Sequence, residues 1–495
     1  MTALSRAAGA LMALWIGIAG APVASASPGA SAGHETLNVD TLRYGRFGPL
    51  VLYRQREHPS HVVLFVSGDG GWTRGVVEMA KSLAGMDALV VGIDIRYYLG
   101  ALAATNAKAP AKATAKSTPK QPCAYPAADF EALSQWLQHR LGFPSYVTPV
   151  LAGHSSGATL VYVILAQAPP NTFRGGISLG FCPSLQAGRP FCRGSGLSAV
   201  EQAGSRGLRV APAGSLGAPW IVLQGAIDSS CPPASAAAFV RGIRGARLVL
   251  LPQVGHGFAV ELRWMPQLRE AFTRLTRAPP ATNAATAPEV HDLPLVELRS
   301  RGGSRDLAVV ISGDGGWAGI DRQIGETLAA DGIPVVGLNS LQYFWKARTP
   351  DQAGADLTRL LRHYLQAWGA SRALLIGYSR GADVLPFMVT RLPANLRGRV
   401  ELVALLGPSR VAGFEFHFVD LLGGGNSGDR PTLPEILRLR GSKLLCVYGT
   451  GETDSACREL PSDLGATMVA MPGGHHFDGA YQEVARRILQ AAGTD

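Results

Sequence analysis

Short apolar runs alternate with amphipathic runs along most of the chain. Apolar runs such as 88–94 and 333–339 are typical of buried strands, whereas runs 130–141 and 355–368 have the period of helices. Strands that alternate with helices predict a mostly parallel sheet with helices on both faces. Before these elements, residues 37–53 alternate in polarity and contain turn-forming glycines, which predicts a β-hairpin.

The pattern occurs twice. The hexapeptide Ser-Gly-Asp-Gly-Gly-Trp stands at 67–72 and again at 312–317, each time after an apolar run. Four further pairs follow in the same order: 88–94 with 333–339, 153–158 with 377–382, 228–231 with 454–457, and 255–258 with 474–477. Five matches in one order indicate a tandem duplication.

The length of 495 residues suits two domains of about 200–250 residues each. We predict an N-terminal domain at 35–276, a linker at 277–287 and a C-terminal domain at 288–495. The first copy carries an insertion at 105–122, rich in Ala, Pro and Lys, that is typical of a solvated surface segment.

The first 26 residues resemble a signal peptide. Arg6 precedes an apolar stretch at 7–19, and Ala24-Ser-Ala26 is a cleavage site of the A-x-A kind. We therefore expect cleavage after Ala26 and export to the periplasm. No later apolar run is long enough to span a membrane.

Composition narrows the function classes. Hydrophobic residues make up 47% of the chain and charged residues 17%, which is typical of a globular protein. The net charge is +10, but the basic residues form no cluster interleaved with aromatic residues, so nucleic-acid binding is not expected. The charge favours either peripheral contact with an anionic membrane surface or simple solubility.

The six cysteines form an even number in a chain that we expect to be exported, which favours disulfides. Cys446 and Cys457 are alone in the second half and are each other's predicted partner. The remaining four allow three pairings, which the sequence leaves open: Cys123, Cys182, Cys192 and Cys231. The spacing favours neither a metal site nor a cofactor.

The Gly377-Tyr-Ser-Arg-Gly381 motif lies between an apolar run and a helical run. This setting is typical of a nucleophile elbow, in which a serine occupies a sharp turn between a strand and a helix. Each copy places Ser, Asp and His in the chain order of an α/β-hydrolase. We therefore predict the α/β class, with two tandem α/β-hydrolase-like domains.

In the second copy we assign Ser379 as nucleophile, His475 as general base and Asp454 as the carboxylate that orients it. Glu452 and His476 are rivals for the last two roles. Asp454 is preferred because Asp-Ser-x-Cys occurs in both copies.

The corresponding residues of the first copy are Ser155, His256 and Asp228. Two interpretations of this copy stay open. Either it is a second active site, or it is a scaffold or lipid-docking module that has kept the motif.

The Gly-Asp-Gly-Gly-Trp loops are expected to supply one oxyanion N–H, and the residue after each serine the other. The candidates are Gly315 or Gly316 with Arg380, and Gly70 or Gly71 with Ser156. Asp314 and Asp69 could each pair with a cationic group on the substrate, or could close the loop in an Asx-type turn. Trp317 is a candidate substrate-binding residue, although a packing role is favoured.

Together, the paired hexapeptides, the elbow at 377–386 and the segments 448–457 and 472–477 resemble the bacterial virulence protein VirJ family and its two-domain relative AcvB. The resemblance implies a periplasmic serine hydrolase. It places the family's serine on Ser379, its histidine on the pair His475-His476, and its acid within 452–454.

The resemblance also implies a substrate, because AcvB-type proteins hydrolyse aminoacylated phosphatidylglycerol, chiefly the lysyl form. We expect lysyl- or alanyl-phosphatidylglycerol at the periplasmic face of the inner membrane. Acidic residues around the second site would suit its cationic acyl group, and the candidates are Asp314, Asp383, Glu452 and Asp478. VirJ-type proteins are also tied to type IV secretion, so secretion-system proteins are possible partners. The alternatives are a general periplasmic esterase or lysophospholipase, and a non-catalytic accessory protein of secretion.

Overall fold

The computed structural model describes residues 36–104, 123–201, 207–277, 289–300, 304–317, 319–415 and 430–493. The described residues from Leu37 onward belong to one compact unit. The signal peptide, the 105–122 insertion and nearly all of the linker therefore lie outside the described residues, and these three assignments stay predictions.

The first copy contains strands β1 to β11 and helices α1 to α6. The strands are β1 (Asn38–Tyr44), β2 (Gly48–Arg54), β3 (His61–Val66), β4 (Ala88–Ile93), β5 (Val150–His154), β6 (Gly175–Leu179), β7 (Ser184–Gln186), β8 (Ser198–Glu201), β9 (Gly207–Ala211), β10 (Ser215–Gly225) and β11 (Arg244–Leu251). The helices are α1 (Arg74–Ala84), α2 (Ile95–Ala104), α3 (Pro126–Arg140), α4 (Ser156–Gln167), α5 (Pro233–Arg241) and α6 (Met265–Thr276).

The second copy contains strands β12 to β20 and helices α7 to α13. The strands are β12 (Leu295–Leu298), β13 (Asp306–Ile311), β14 (Val335–Leu338), β15 (Arg372–Tyr378), β16 (Val400–Leu406), β17 (Val411–Ala412), β18 (Arg430–Pro431), β19 (Leu444–Gly449) and β20 (Thr467–Met471). The helices are α7 (Gly319–Ala330), α8 (Ser340–Tyr343), α9 (Pro350–Ala367), α10 (Arg380–Thr390), α11 (Ala394–Arg397), α12 (Thr432–Leu437) and α13 (Tyr481–Ala492).

The two main sheets have the same topology. The first has the order β1-β2-β4-β3-β5-β6-β10-β11, and the second has the order β12-β14-β13-β15-β16-β19-β20. β2 pairs antiparallel with β4, and β12 pairs antiparallel with β14. On the other side of β4 and β14, the strands of each sheet pair in parallel. The second sheet thus repeats the first without its outermost strand β1, and the predicted α/β fold and the predicted hairpin of β1 and β2 are confirmed.

The inner strands are apolar on both faces because helices cover both. Every residue of Ala88–Ile93 and of Asp306–Ile311 is buried, which is typical of parallel strands between two helical layers. Each sheet accordingly has an apolar core on each side. The carboxyl ends of these strands meet at one edge, where the functional loops lie.

One glycine in each sheet makes room for the tryptophan of the repeated hexapeptide. A Cβ on Gly92 or Gly337 would collide with the ring of Trp72 or Trp317, respectively. Trp317 is only 5% exposed. The two tryptophans are therefore packing residues that hold the Gly-Asp-Gly-Gly loops against the next strand.

The copies share part of a core. Leu341 and Trp345 of the second copy belong to the apolar cluster of the first. The Trp345 indole packs against Tyr146, with ring centroids 5.5 Å apart, and its Nε1–H donates to the Phe143 carbonyl at 2.7 Å. Trp345 is 5% exposed, so this contact is part of the apolar interior.

Three disulfides join the cysteines. Cys446 is bonded to Cys457, which confirms the predicted pair. The four cysteines of the first copy pair as Cys123–Cys192 and Cys182–Cys231. Among the described helices, none combines the length and apolar character needed to cross a membrane.

We expect Trp345→Ala to destabilise the protein by about 3–5 kcal/mol, because it leaves a cavity in the shared core and removes the hydrogen bond to Phe143. Denaturant unfolding followed by circular dichroism measures this change. Tyr97→Ala is the control, since the Tyr97 side chain is 52% exposed and should cost little. An unfolding midpoint for Trp345→Ala equal to that of the control would contradict the shared core.

Candidate active sites

Each nucleophilic serine lies at a sharp turn between a strand and a helix. Ser379 has φ 52° between β15 and α10, and Ser155 has φ 55° between β5 and α4. A positive φ is costly for a non-glycine residue, so the surrounding structure must hold each turn in place. The predicted nucleophile elbow is present in both copies.

The flanking glycines allow this turn. A Cβ on Gly377 would collide with the Gly381 carbonyl, and a Cβ on Gly381 would collide with the Ile311 carbonyl on the neighbouring strand. Gly153 and Gly157 have the same environment in the first copy. The motif requires glycine because helix, turn and neighbouring strand are in backbone contact.

In the second copy Ser379, His475 and Glu452 form a continuous chain of hydrogen bonds. Ser379 Oγ lies 2.8 Å from His475 Nε2, and His475 Nδ1 lies 2.5 Å from Glu452 Oε1. The Gly449 N–H donates to the other Glu452 oxygen at 2.5 Å. This arrangement lets the imidazole accept the serine proton while the carboxylate fixes its tautomer.

The assignment of Asp454 as the orienting acid is wrong in geometry, because the structure places Glu452 against His475. Asp454 is exposed and lines a cavity of about 310 Å³ beside His475. His476, the other rival, lies against Tyr378, whose hydroxyl is 3.0 Å from His476 Nδ1. His475 is therefore the histidine that reaches the serine.

The distance from the strand end explains the correction. Asp228 is the third residue after β10, which ends at Gly225, and Glu452 is the third residue after β19, which ends at Gly449. The two Asp-Ser-x-Cys segments are not equivalent, since Cys231 bonds to Cys182 whereas Cys457 bonds to Cys446. Glu452 is therefore the residue that is structurally equivalent to Asp228, and Asp454 lies two residues further along the chain.

The acid and the base change each other's pKa. Burial raises the pKa of Glu452, but hydrogen bonds from His475 and Gly449 and the His475 charge outweigh burial and lower it. Burial lowers the pKa of His475, but the hydrogen bond and charge of Glu452, with the charges of Asp383 and Asp314, raise it overall. Glu452 therefore stabilises the imidazolium that forms when Ser379 is deprotonated.

The hydrogen bonds of the two loops reduce the number of candidate N–H donors to the oxyanion. The N–H groups of Gly71 and Gly316 close turns on the carbonyls of Gly68 and Gly313, at 2.9 and 3.0 Å. Within the described part of the chain, the N–H groups of Gly70 and Gly315 make no hydrogen bond. Gly70 and Gly315 are thus the better candidates to act with Ser156 and Arg380.

Asp314, proposed to bind a cationic substrate group, already has a cationic partner. The Arg380 guanidinium donates to its carboxylate. Asp383 is buried and accepts the Ser409 N–H at 2.6 Å. Burial, and next the Asp314 charge, raise the pKa of Asp383 to about 8 in spite of that hydrogen bond. Asp478 is exposed.

Two further carboxyls near this site were missed by the sequence analysis. Asp321 in α7 is 3% exposed, its Oδ1 has no hydrogen-bond partner among the described residues, and burial raises its pKa well above the usual value. Glu131 comes from the first copy and lines a cavity of about 240 Å³ with Gly315 and Trp317. Burial, and then the Asp314 charge, raise the pKa of Glu131 to about 7.

One sequence signal could have found Asp321. It stands four residues after Trp317, and the residue four after Trp72 is Val76. A carboxyl in place of an apolar residue next to the repeated loop marks a difference between the copies. Glu131 had no such signal, because its contact depends on how the copies pack together.

The first copy has a complete triad that matches the predicted residues. Ser155 Oγ lies 2.8 Å from His256 Nε2, and His256 Nδ1 lies 2.9 Å from Asp228 Oδ2. The N–H groups of Ser230 and Cys231 donate to the other Asp228 oxygen at 3.0 and 2.8 Å. A cleft of about 540 Å³ opens over this triad.

Residues 305–494 match the family described as bacterial virulence protein (VirJ). The resemblance drawn from the sequence motifs is confirmed for this part of the chain. The matched segment contains Ser379, Glu452 and His475, and the first copy lies outside it. No curated protein matches the chain significantly.

Several solved structures of hydrolases are similar to about half of the chain. An α/β serine hydrolase without a lid from Xanthomonas campestris is 20% identical, with a TM-score of 0.30, over 49% of this chain and 97% of that one. A dienelactone hydrolase from Anabaena variabilis is 16% identical, with a TM-score of 0.32, over 48% and 96%. An esterase domain from Rhodothermus marinus is 14% identical, with a TM-score of 0.30, over 48% and 98%.

We expect Glu452→Gln to slow reaction at Ser379 by about 10³–10⁴-fold, because an amide leaves the His475 imidazolium without its anionic partner. The measurement is the rate at which a fluorophosphonate probe labels Ser379, followed by mass spectrometry. Asp454→Asn is the matched control and should change the rate less than about twofold. The opposite result, with a slow Asp454→Asn and a normal Glu452→Gln, would restore Asp454 as the orienting acid.

Proposed function

We propose that the second copy is a serine hydrolase that cleaves carboxylic esters. The observation that carries this proposal is the hydrogen-bonded chain from Ser379 through His475 to Glu452 at the nucleophile elbow. A serine hydroxyl is a poor nucleophile at neutral pH unless a neighbouring imidazole takes its proton. The match of this half to the VirJ family agrees with the proposal.

The reaction follows from the geometry. Ser379 Oγ attacks the ester carbonyl carbon while its proton passes to His475 Nε2, and the oxyanion accepts N–H groups from Gly315 and Arg380. The ester C–O bond then breaks, and the alcohol leaves with the proton from His475. Water, deprotonated by His475, attacks the acyl-enzyme and releases the acid and free Ser379.

We further propose that the ester is the aminoacyl ester of aminoacyl-phosphatidylglycerol, in the lysyl or alanyl form. The products are phosphatidylglycerol and the free amino acid. The family resemblance suggested this substrate, and the acidic surroundings of the site support it. An aminoacyl ester carries an ammonium group next to its carbonyl, so an enzyme that prefers it needs anionic groups close to the nucleophile.

Three carboxyls are candidates for this role: Asp321, Asp383 and Glu131. Asp314 is not among them, because the Arg380 guanidinium already pairs with it. Burial raises the pKa of Asp383 to about 8, so this carboxyl is largely protonated at neutral pH. Burial also raises the pKa of Asp321 well above its usual value. An ammonium group beside them favours the ionised form and offsets the cost of burying the charge. A neutral acyl group offers no such compensation, so these carboxyls favour a cationic substrate.

The substrate would place the protein at the periplasmic face of the inner membrane. A net charge of +10 would favour peripheral contact with a bilayer that contains anionic phosphatidylglycerol. Export by the predicted signal peptide is part of this proposal.

Release of free lysine or alanine from lysyl- or alanyl-phosphatidylglycerol vesicles tests the activity. We expect Ser379→Ala to abolish release and Ser155→Ala to leave at least about half of it, because the acidic site belongs to the second copy. Release that depends on Ser155 would assign the activity to the first copy. Faster cleavage of short neutral esters at Ser379 would favour a general esterase, and no hydrolysis of either would favour the accessory role.

We expect Asp383→Asn and Asp321→Asn each to reduce kcat/KM for the lysyl substrate by at least about tenfold, because a charged hydrogen bond is worth about 1.5–3 kcal/mol. Cleavage of a neutral butyryl ester at Ser379, measured in chains that also carry Ser155→Ala, should change much less. Asp331→Asn, at an exposed carboxylate after α7, is the control. Equal losses on both esters would show that these carboxyls support folding and not recognition of charge.

A further inference from the structure

The first copy retains every element that its chemistry needs. Ser155 has the same backbone conformation as Ser379, and its hydrogen bond to His256 has the same length of 2.8 Å. A copy that served only as a scaffold would gain nothing from a serine held at a costly positive φ. The geometry therefore indicates a working nucleophile.

The orienting acid is held as firmly as in the second copy. Asp228 is 2% exposed and accepts hydrogen bonds from His256, from the Gln224 amide, and from two backbone N–H groups. Asp228, Cys231 and His256 could also hold a metal ion by their spacing. That alternative is disfavoured, because the Cys231 sulfur is bonded to Cys182 and a metal needs a thiolate.

The cleft over Ser155 differs from the second site in charge. Val76 and Thr159 stand where the second copy has Asp321 and Asp383, four residues after the tryptophan and four after the serine. Val76 lines the cleft, and the Thr159 hydroxyl donates to the Cys182 carbonyl at 2.7 Å. The two buried carboxyls of the second site are thus replaced by neutral groups.

The other lining groups carry little charge. His154 donates from Nε2 to the His256 carbonyl at 2.9 Å, and burial lowers its pKa, so it is neutral at pH 7. Asp69 is exposed and accepts the Ser156 hydroxyl at 2.6 Å. Water screens the charge of an exposed carboxylate far more than that of a buried one, so Asp69 selects weakly for a cation.

We propose that the first copy is a second, independent ester hydrolase whose substrate is an ester with an uncharged acyl group. Ser155 Oγ attacks the carbonyl carbon and gives its proton to His256, the C–O bond breaks, and the alcohol leaves with that proton. Water then cleaves the acyl-Ser155 ester to give the carboxylic acid and regenerate the serine. Gly70 and Ser156 supply N–H groups to the oxyanion.

The test uses the full chain carrying Ser379→Ala, so that reaction at the second site is removed. A fluorophosphonate probe should label Ser155, and peptide mass spectrometry locates the label without any change in the first copy. This variant should also hydrolyse 4-nitrophenyl butyrate, and addition of Ser155→Ala should reduce that rate at least about 100-fold. Ser235→Ala, at an exposed serine of α5, is the matched control and should leave the rate unchanged.

Absence of label on Ser155, or butyrate hydrolysis that survives the double variant, would overturn the proposal. Hydrolysis of a lysyl ester at Ser155 faster than that of butyrate would overturn the assigned substrate class. The outcome is separate from the function proposed for the second copy, which is measured as amino acid release by the Ser155→Ala variant. Either site can therefore fail its test while the other passes.

Discussion

Backbone contact between a strand, a turn and a helix fixes the position of each nucleophilic serine. Gly381 lies against the Ile311 carbonyl, and Gly377 lies against the Gly381 carbonyl, so the turn cannot relax without separating the helix from the sheet. The serine is held above the carboxyl ends of the parallel strands, within reach of a histidine from a later loop. The same contacts in the first copy, through Gly153 and Gly157, produce the same geometry.

Much of this arrangement could be predicted from the sequence. The alternation of strands and helices and the five repeated segments indicated two α/β units, and the strand order of the two sheets agrees. Ser379, His475 and the residues of the first triad were found because motif and chain order restrict them strongly. Cys446–Cys457 followed from the count of cysteines in each half.

The orienting acid of the second site and the contribution of Glu131 depend on distances that a sequence does not give. Asp454 was preferred over Glu452 through a repeated tetrapeptide, but the number of residues between the strand end and the acid decides which carboxylate reaches the histidine. Strand ends are the least certain part of any prediction from sequence. Glu131 could not be predicted at all, because it reaches the second site across the contact between the copies.

The insertion of Trp345 into the core of the first copy bears on the history of the chain. Because the Trp345 indole of the second copy lies in the apolar core of the first, loss of the second copy would uncover apolar surface and leave the Phe143 carbonyl without its donor. Selection would therefore keep the halves together, even if their two serine sites came to bind different substrates.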